Sequence, residues 1–145
     1  MPDASHDLER FVAAQRQLYS LVLDELRAGA KRSHWMWFIF PQVTGLGLSP
    51  LARQYAIANL AEARAYLGHE LLGLRLVECT EAMLGWRGQR TAEQILGQID
   101  AMKFRSSMTL FEAAGGDGCF ARALEAFFAG SRDERTLQIL AAIEA

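Results

Sequence analysis

Helix-start signals recur along this chain at intervals that leave room only for short helices. Asn59 stands ahead of Glu62, and Thr91 ahead of Gln94, at the spacing of a capping box. Ser49 is a good N-cap, and Pro50 after it suits the first helical position. Asp100, Asp117 and the Asp133-Glu134 pair mark further starts, since acidic residues favour a helix N-terminus. Between these signals apolar residues repeat at helical spacing. Leu8, Phe11, Val12, Leu18, Tyr19, Val22, Leu23 and Leu26 form one such series, and Leu72, Leu76, Cys79 and Met83 another. The first series reads as one long helix or as two broken near Gln15 to Gln17, ending at Gly29. Gly115-Gly116 halts the helix that Asp100 opens. The expected fold is all-α, a single domain over residues 1–145 with about seven or eight short helices.

Bulk properties agree with that expectation. A chain of 145 residues can bury one continuous core, and 51% hydrophobic with 22% charged residues describes a globular domain. The longest apolar run, Trp35 to Phe40, is too short to cross a bilayer, and "MPDASHDLERF" lacks the basic and apolar regions of a signal peptide. Cys79 and Cys119 suggest neither a disulfide framework nor a metal site, so both are expected as free thiols in a cytoplasmic protein. His6, His34 and His69 show no metal-ligand spacing, and the sequence leaves the cofactor unknown. A net charge of −2 argues against general nucleic-acid binding, and no membrane partner is expected.

Charge is nevertheless uneven. From Leu26 to Ala61 there is no Asp or Glu, while Arg27, Lys31, Arg32 and Arg53 are present. A second acid-free window, Ala101 to Phe111, holds Lys103 and Arg105. Windows of this kind suit an anionic ligand if they meet in space, although a buried segment also lacks charges.

"KRSHWMWFIFPQ", residues 31–42, lies in the first window. Ser33 can cap a short helix through the aromatic run, which Pro41 ends; a strand there is the alternative. On a helix Lys31, His34 and Phe38 would share one face. His34 is then the candidate general base or acid, Lys31 an anion holder, and Trp35 or Trp37 a wall on which a flat base stacks. The same aromatics can instead be plain core.

In "TGLGLSP" the amides after Ser49 can hold a phosphate, although turn formation alone explains the glycines. Pro50 and the lack of a surrounding βαβ pattern argue against a dinucleotide fold. In "DAMKFRSSMTLF" a helical wheel places Phe104, Met108 and Phe111 on an apolar face. Arg105, Thr109 and Glu112 read as a solvated edge, and Lys103 falls beside Ser107 among small side chains. Lys103 is the second candidate anion holder.

The segments "KRSHWMWFIFPQVTGLGLSPLARQYAI", "EARAYLGHELLGLRLVECTEA", "DAMKFRSSMTLFEAA" and "DERTLQIL" together resemble the bacterial domain-of-unknown-function family 1810. Some of its members carry the label calpastatin, which has no physical support here because that inhibitor is disordered. The resemblance runs from about Leu8 to Leu140 and implies a compact helical fold without an established activity. Its motif positions fall on Lys31, Ser33, His34, Trp35, Trp37, Pro41, Gln42, Gly45, Gly47, Ser49, Lys103, Ser106, Ser107 and Thr109. Gln42, Ser106 and Ser107 join the candidate ligand-binding residues as motif positions.

Two functions fit. One is a small-molecule domain with a cationic, aromatic-walled pocket for a phosphorylated ligand such as a nucleotide or ADP-ribose derivative. The other is a non-catalytic protein–protein interaction module. Convergence of Lys31, His34 and Lys103 on one cleft is what separates them.

Overall fold

The computed structural model describes residues 6–145, so the first residues of the stretch read for a signal peptide lie outside the described part. The described residues form ten helices and no strand; Val43 and Ile57 make one isolated parallel bridge. The all-α expectation holds, with more helices than expected.

The N-terminal apolar series is two helices, α1 (Glu9–Gln15) and α2 (Tyr19–Arg27). Of the aromatic run only α3 (Met36–Ile39) is helical. It is followed by α4 (Pro50–Gln54), α5 (Leu60–Gly68), α6 (Leu72–Leu84) and α7 (Ala92–Leu96). The chain ends with α8 (Gln98–Ala113), α9 (Cys119–Phe128) and α10 (Glu134–Ile143).

Most of the caps are those the sequence signals. Ser49, Asn59, Thr91 and Asp133 each accept a backbone N–H in the first turn of the helix they open. Thr91 and Gln94 form a complete capping box. At Asn59 the box is half made, because the Glu62 carboxylate accepts from Ala58 N at 2.8 Å instead. Asp117 accepts from Cys119 N at 2.8 Å. Two starts differ from expectation. Asp100 is no cap but lies inside the first turn of α8, and Ser33 caps no helix.

Helix α8 is the centre of the molecule, packed against α5, α7, α9 and α10. Its burial extends beyond the Phe104, Met108 and Phe111 face to Ser106, Ser107, Thr109 and Leu110, as a helix enclosed by neighbours requires. The edge expected to be solvated is therefore partly packed. Thr109 accepts from Asp133 N at 2.9 Å, and Glu112 pairs with Arg132 from the α9–α10 turn. Rings continue the core outward, with Phe40 edge-on to Phe104 at 4.8 Å and Tyr66 between Phe11 and Phe111. The α3 segment is thereby fixed against the N-terminal half of α8. Cys79 and Cys119 are buried free thiols.

Candidate functional site

The site begins with how the chain turns after α2. Gly29 has φ +69° and sits against Trp86; a Cβ there would lie 2.8 Å from the indole Cε2. Only glycine fits both the backbone and the space. The turn brings residues 32–35 over Glu25, a buried acid on α2. Its carboxylate accepts from Arg32 N (2.8 Å), Ser33 N (3.0 Å), Ser33 Oγ (2.6 Å) and Trp35 Nε1 (2.9 Å). Burial alone would raise its pKa, but these hydrogen bonds, Ser33 Oγ foremost, outweigh burial and bring it down to about 2. Ser33 is thus a tether to Glu25. The 31–35 segment is also pinned from its other side, where Lys31 N donates to Ile95 O at 2.7 Å.

Held this way, the segment forms one wall of a cleft of about 470 Å³, contributing Lys31, His34, Trp35 and Trp37. The opposite wall is the α7–α8 junction, with Leu96, Ile99, Asp100 and Lys103. Lys31, His34 and Lys103 therefore do line one cleft, although not through a shared helical face. Residues 31–35 are non-helical, and Phe38 turns into the core beside Tyr55.

The cleft is not free of carboxylates, contrary to what the acid-free windows predict. Asp100 lies one residue before the second window and stands between the two lysines, 2.9 Å from Lys31 Nζ and 3.5 Å from Lys103 Nζ. The Lys31 side chain is only 8% exposed, against 28% for Lys103. Each ammonium also lies near an indole face, Lys31 5.0 Å from the Trp35 centroid and Lys103 5.4 Å from that of Trp37. Trp35 is fully buried, whereas Trp37 is partly open to solvent. His34 is exposed and makes no hydrogen bond among the described residues.

A second cleft of about 280 Å³ adjoins the first and shares Ile99 and Lys103 with it. Gln42, Ser106, Asp133 and Arg135 line it. Of the remaining candidates, Ser49 and Ser107 line neither cleft. Ser49 Oγ accepts from Ala52 N at 3.1 Å, and Ser107 Oγ is buried without a hydrogen-bond partner among the described residues. Among the described residues no three His, Cys, Asp or Glu side chains form a metal-binding group, and no helix is long and apolar enough to cross a membrane.

Glu25, Asp100 and Arg135 are site residues that sequence reasoning missed. Glu25 follows Val22 at helical spacing, so an acid on an inward face was the available signal. Arg135 has no acid three or four residues away on its helix, which marks it as a cation without a local partner.

A family model described as "Protein of unknown function (DUF1810)" matches residues 5–140. The chain is also similar to the crystal structure of the conserved hypothetical protein Rv1873 from Mycobacterium tuberculosis. The two share 50% identity over 94% of this chain and 98% of that one, with a TM-score of 0.91. No curated protein matches the chain.

Proposed function

The chain belongs to the DUF1810 family, and for this member we propose a site that binds a phosphorylated small molecule bearing a flat ring, such as a nucleotide or an ADP-ribose derivative. The observation that carries this reading is the meeting of Lys31, His34, Trp37 and Lys103 around one cleft. Lys103 is the principal anion holder. Lys31 is nearly buried and tied to Asp100, so it acts as a fixed charge behind the ligand. With one carboxylate against two ammoniums the cleft keeps a positive excess before His34 is counted.

Trp37 is the stacking platform, since Trp35 is enclosed and serves as floor. A ring entering over Trp37 competes with the Lys103 ammonium. That cation–π contact contributes only about 0.5–1 kcal/mol at an exposed site, and an ammonium–phosphate pair replaces it. His34, exposed and without a hydrogen bond among the described residues, is the group that moves a proton to or from the bound ligand if the site is catalytic.

One observation favours the interaction module as a second reading: Ile99 and Met102 are 72% and 64% exposed beside Lys103. A thermal-shift panel of nucleotides and ADP-ribose distinguishes the two. Ligand at a hundredfold its dissociation constant raises stability by about 2.7 kcal/mol. A salt-sensitive shift that weakens in Lys103→Ala supports the ligand site. No shift at millimolar ligand favours the interaction module.

A further inference from the structure

We propose that the two clefts flanking Lys103 are one bipartite site, whose ligand is a diphosphate-bridged molecule with a flat ring at one end and a hydroxyl-bearing group at the other. This rests on the reading of the first cleft given above and extends it. The clefts share Ile99 and Lys103, so a ligand that stacks on Trp37 and passes over Lys103 enters the second cleft directly.

The distribution of charge says what it meets there. In the first cleft Asp100 already engages both lysines. Arg135 in the second cleft is exposed and forms no ion pair or hydrogen bond among the described residues. Asp133, the carboxylate of that cleft, is committed elsewhere. Its Oδ2 accepts from Thr136 N (3.1 Å), Thr136 Oγ1 (2.5 Å) and Ser106 Oγ (3.1 Å), and its Oδ1 faces Arg105 at 3.7 Å. Lys103, farther from Asp100 than Lys31 and more exposed, and Arg135 are the cations accessible to an anion. Two cations on one cleft suit two linked phosphates better than one, and the guanidinium fork matches phosphate oxygens in pairs. Gln42, half-buried on the same cleft, has a side-chain amide with no hydrogen bond to protein among the described residues. An amide that both donates and accepts fits a hydroxyl group.

The test is calorimetric titration of the full chain with AMP and with ADP-ribose as probes, in the wild type, Arg135→Ala, Arg135→Lys and Gln42→Ala. ADP-ribose should bind tighter than AMP by about tenfold or more. Arg135→Ala should erase that advantage and leave AMP affinity unchanged, while Arg135→Lys keeps part of it. Unchanged melting temperatures in the variants establish that folding is not the cause. Equal affinity for the two probes overturns the bipartite site and leaves the first-cleft reading standing. So does an ADP-ribose advantage that survives both Arg135→Ala and Gln42→Ala. Absence of binding by either probe overturns both readings together.

Discussion

Replacing Glu25 by Gln keeps the shape of the side chain and removes the charge that holds residues 32–35. Four hydrogen bonds end on this carboxylate. A bond to a charged group contributes about 1.5–3 kcal/mol, but the four share one anion and do not add. The lowered pKa expresses the net effect of these same bonds against burial. A displacement from 4.5 to about 2 corresponds to about 3 kcal/mol. Because Glu25 is 7% exposed, little of this is lost to solvent screening. A carboxyl whose folded pKa is lowered contributes stability that is present above its unfolded pKa and lost as pH falls through the folded one. Glu25→Gln should therefore be less stable than wild type by about 3 kcal/mol at pH 7, and by about 1.4 kcal/mol at pH 3. Glu112, held below its usual range by hydrogen bonds from Arg132, adds acid sensitivity to both proteins and cancels in the difference. Urea unfolding of the pair across this pH range measures it. A gap that is absent, or that does not narrow on acidification, refutes the idea that an ionised Glu25 organises the site.

Trp35→Ala and Phe40→Ala should each cost about 3–5 kcal/mol by urea unfolding, as expected for fully buried rings. His34→Ala and Lys103→Ala should each cost less than about 1 kcal/mol. Lys31→Ala should cost more than Lys103→Ala, because its nearly enclosed ammonium leaves Asp100 less well paired. Gly73→Ala should lower the melting temperature despite alanine's better helix propensity. The new Cβ would lie 2.1 Å from Leu67 O, and backbone crowding of this kind costs about 1–3 kcal/mol or more. Burial first, with smaller contributions from neighbouring groups, pushes both the Cys79 and Cys119 thiols up to about 12. Native protein at neutral pH should react slowly with a thiol reagent and unfolded protein quickly; rapid native labelling would contradict their burial.

What could be read from the sequence follows from how local each signal is. The caps at Ser49, Thr91 and Asp133 were legible because an N-cap needs only its own first turn. The free thiols and the buried stripe of Leu72, Leu76, Cys79 and Met83 were legible from spacing alone. The shared helical face expected for Lys31, His34 and Phe38 does not exist, and whether Lys103 would join Lys31 and His34 was left open by the sequence. What brings them together is the turn at Gly29 over Glu25, a contact between segments that periodicity cannot see. Asp100 was read as a cap because acids favour that position. Its partner Lys31 comes from another part of the fold. Ser107 looked like a neighbour of Lys103 and is one on the helix, yet the enclosure of α8 buries it away from the cleft.

Binding of a phosphorylated ring compound over Trp37 and Lys103 in the first cleft should be visible in the indole N–H resonances of the three tryptophans during titration with AMP. The three sit in different surroundings. Trp35 Nε1 donates to Glu25 from the enclosed floor of the cleft, Trp86 Nε1 donates to Leu26 O outside it, and Trp37 lines the cleft with a partly open ring. The Trp37 resonance should shift saturably, the other two should move little, and the effect should be lost in Lys103→Ala. No indole shift up to millimolar AMP, or a shift centred on Trp86, would contradict binding in this cleft.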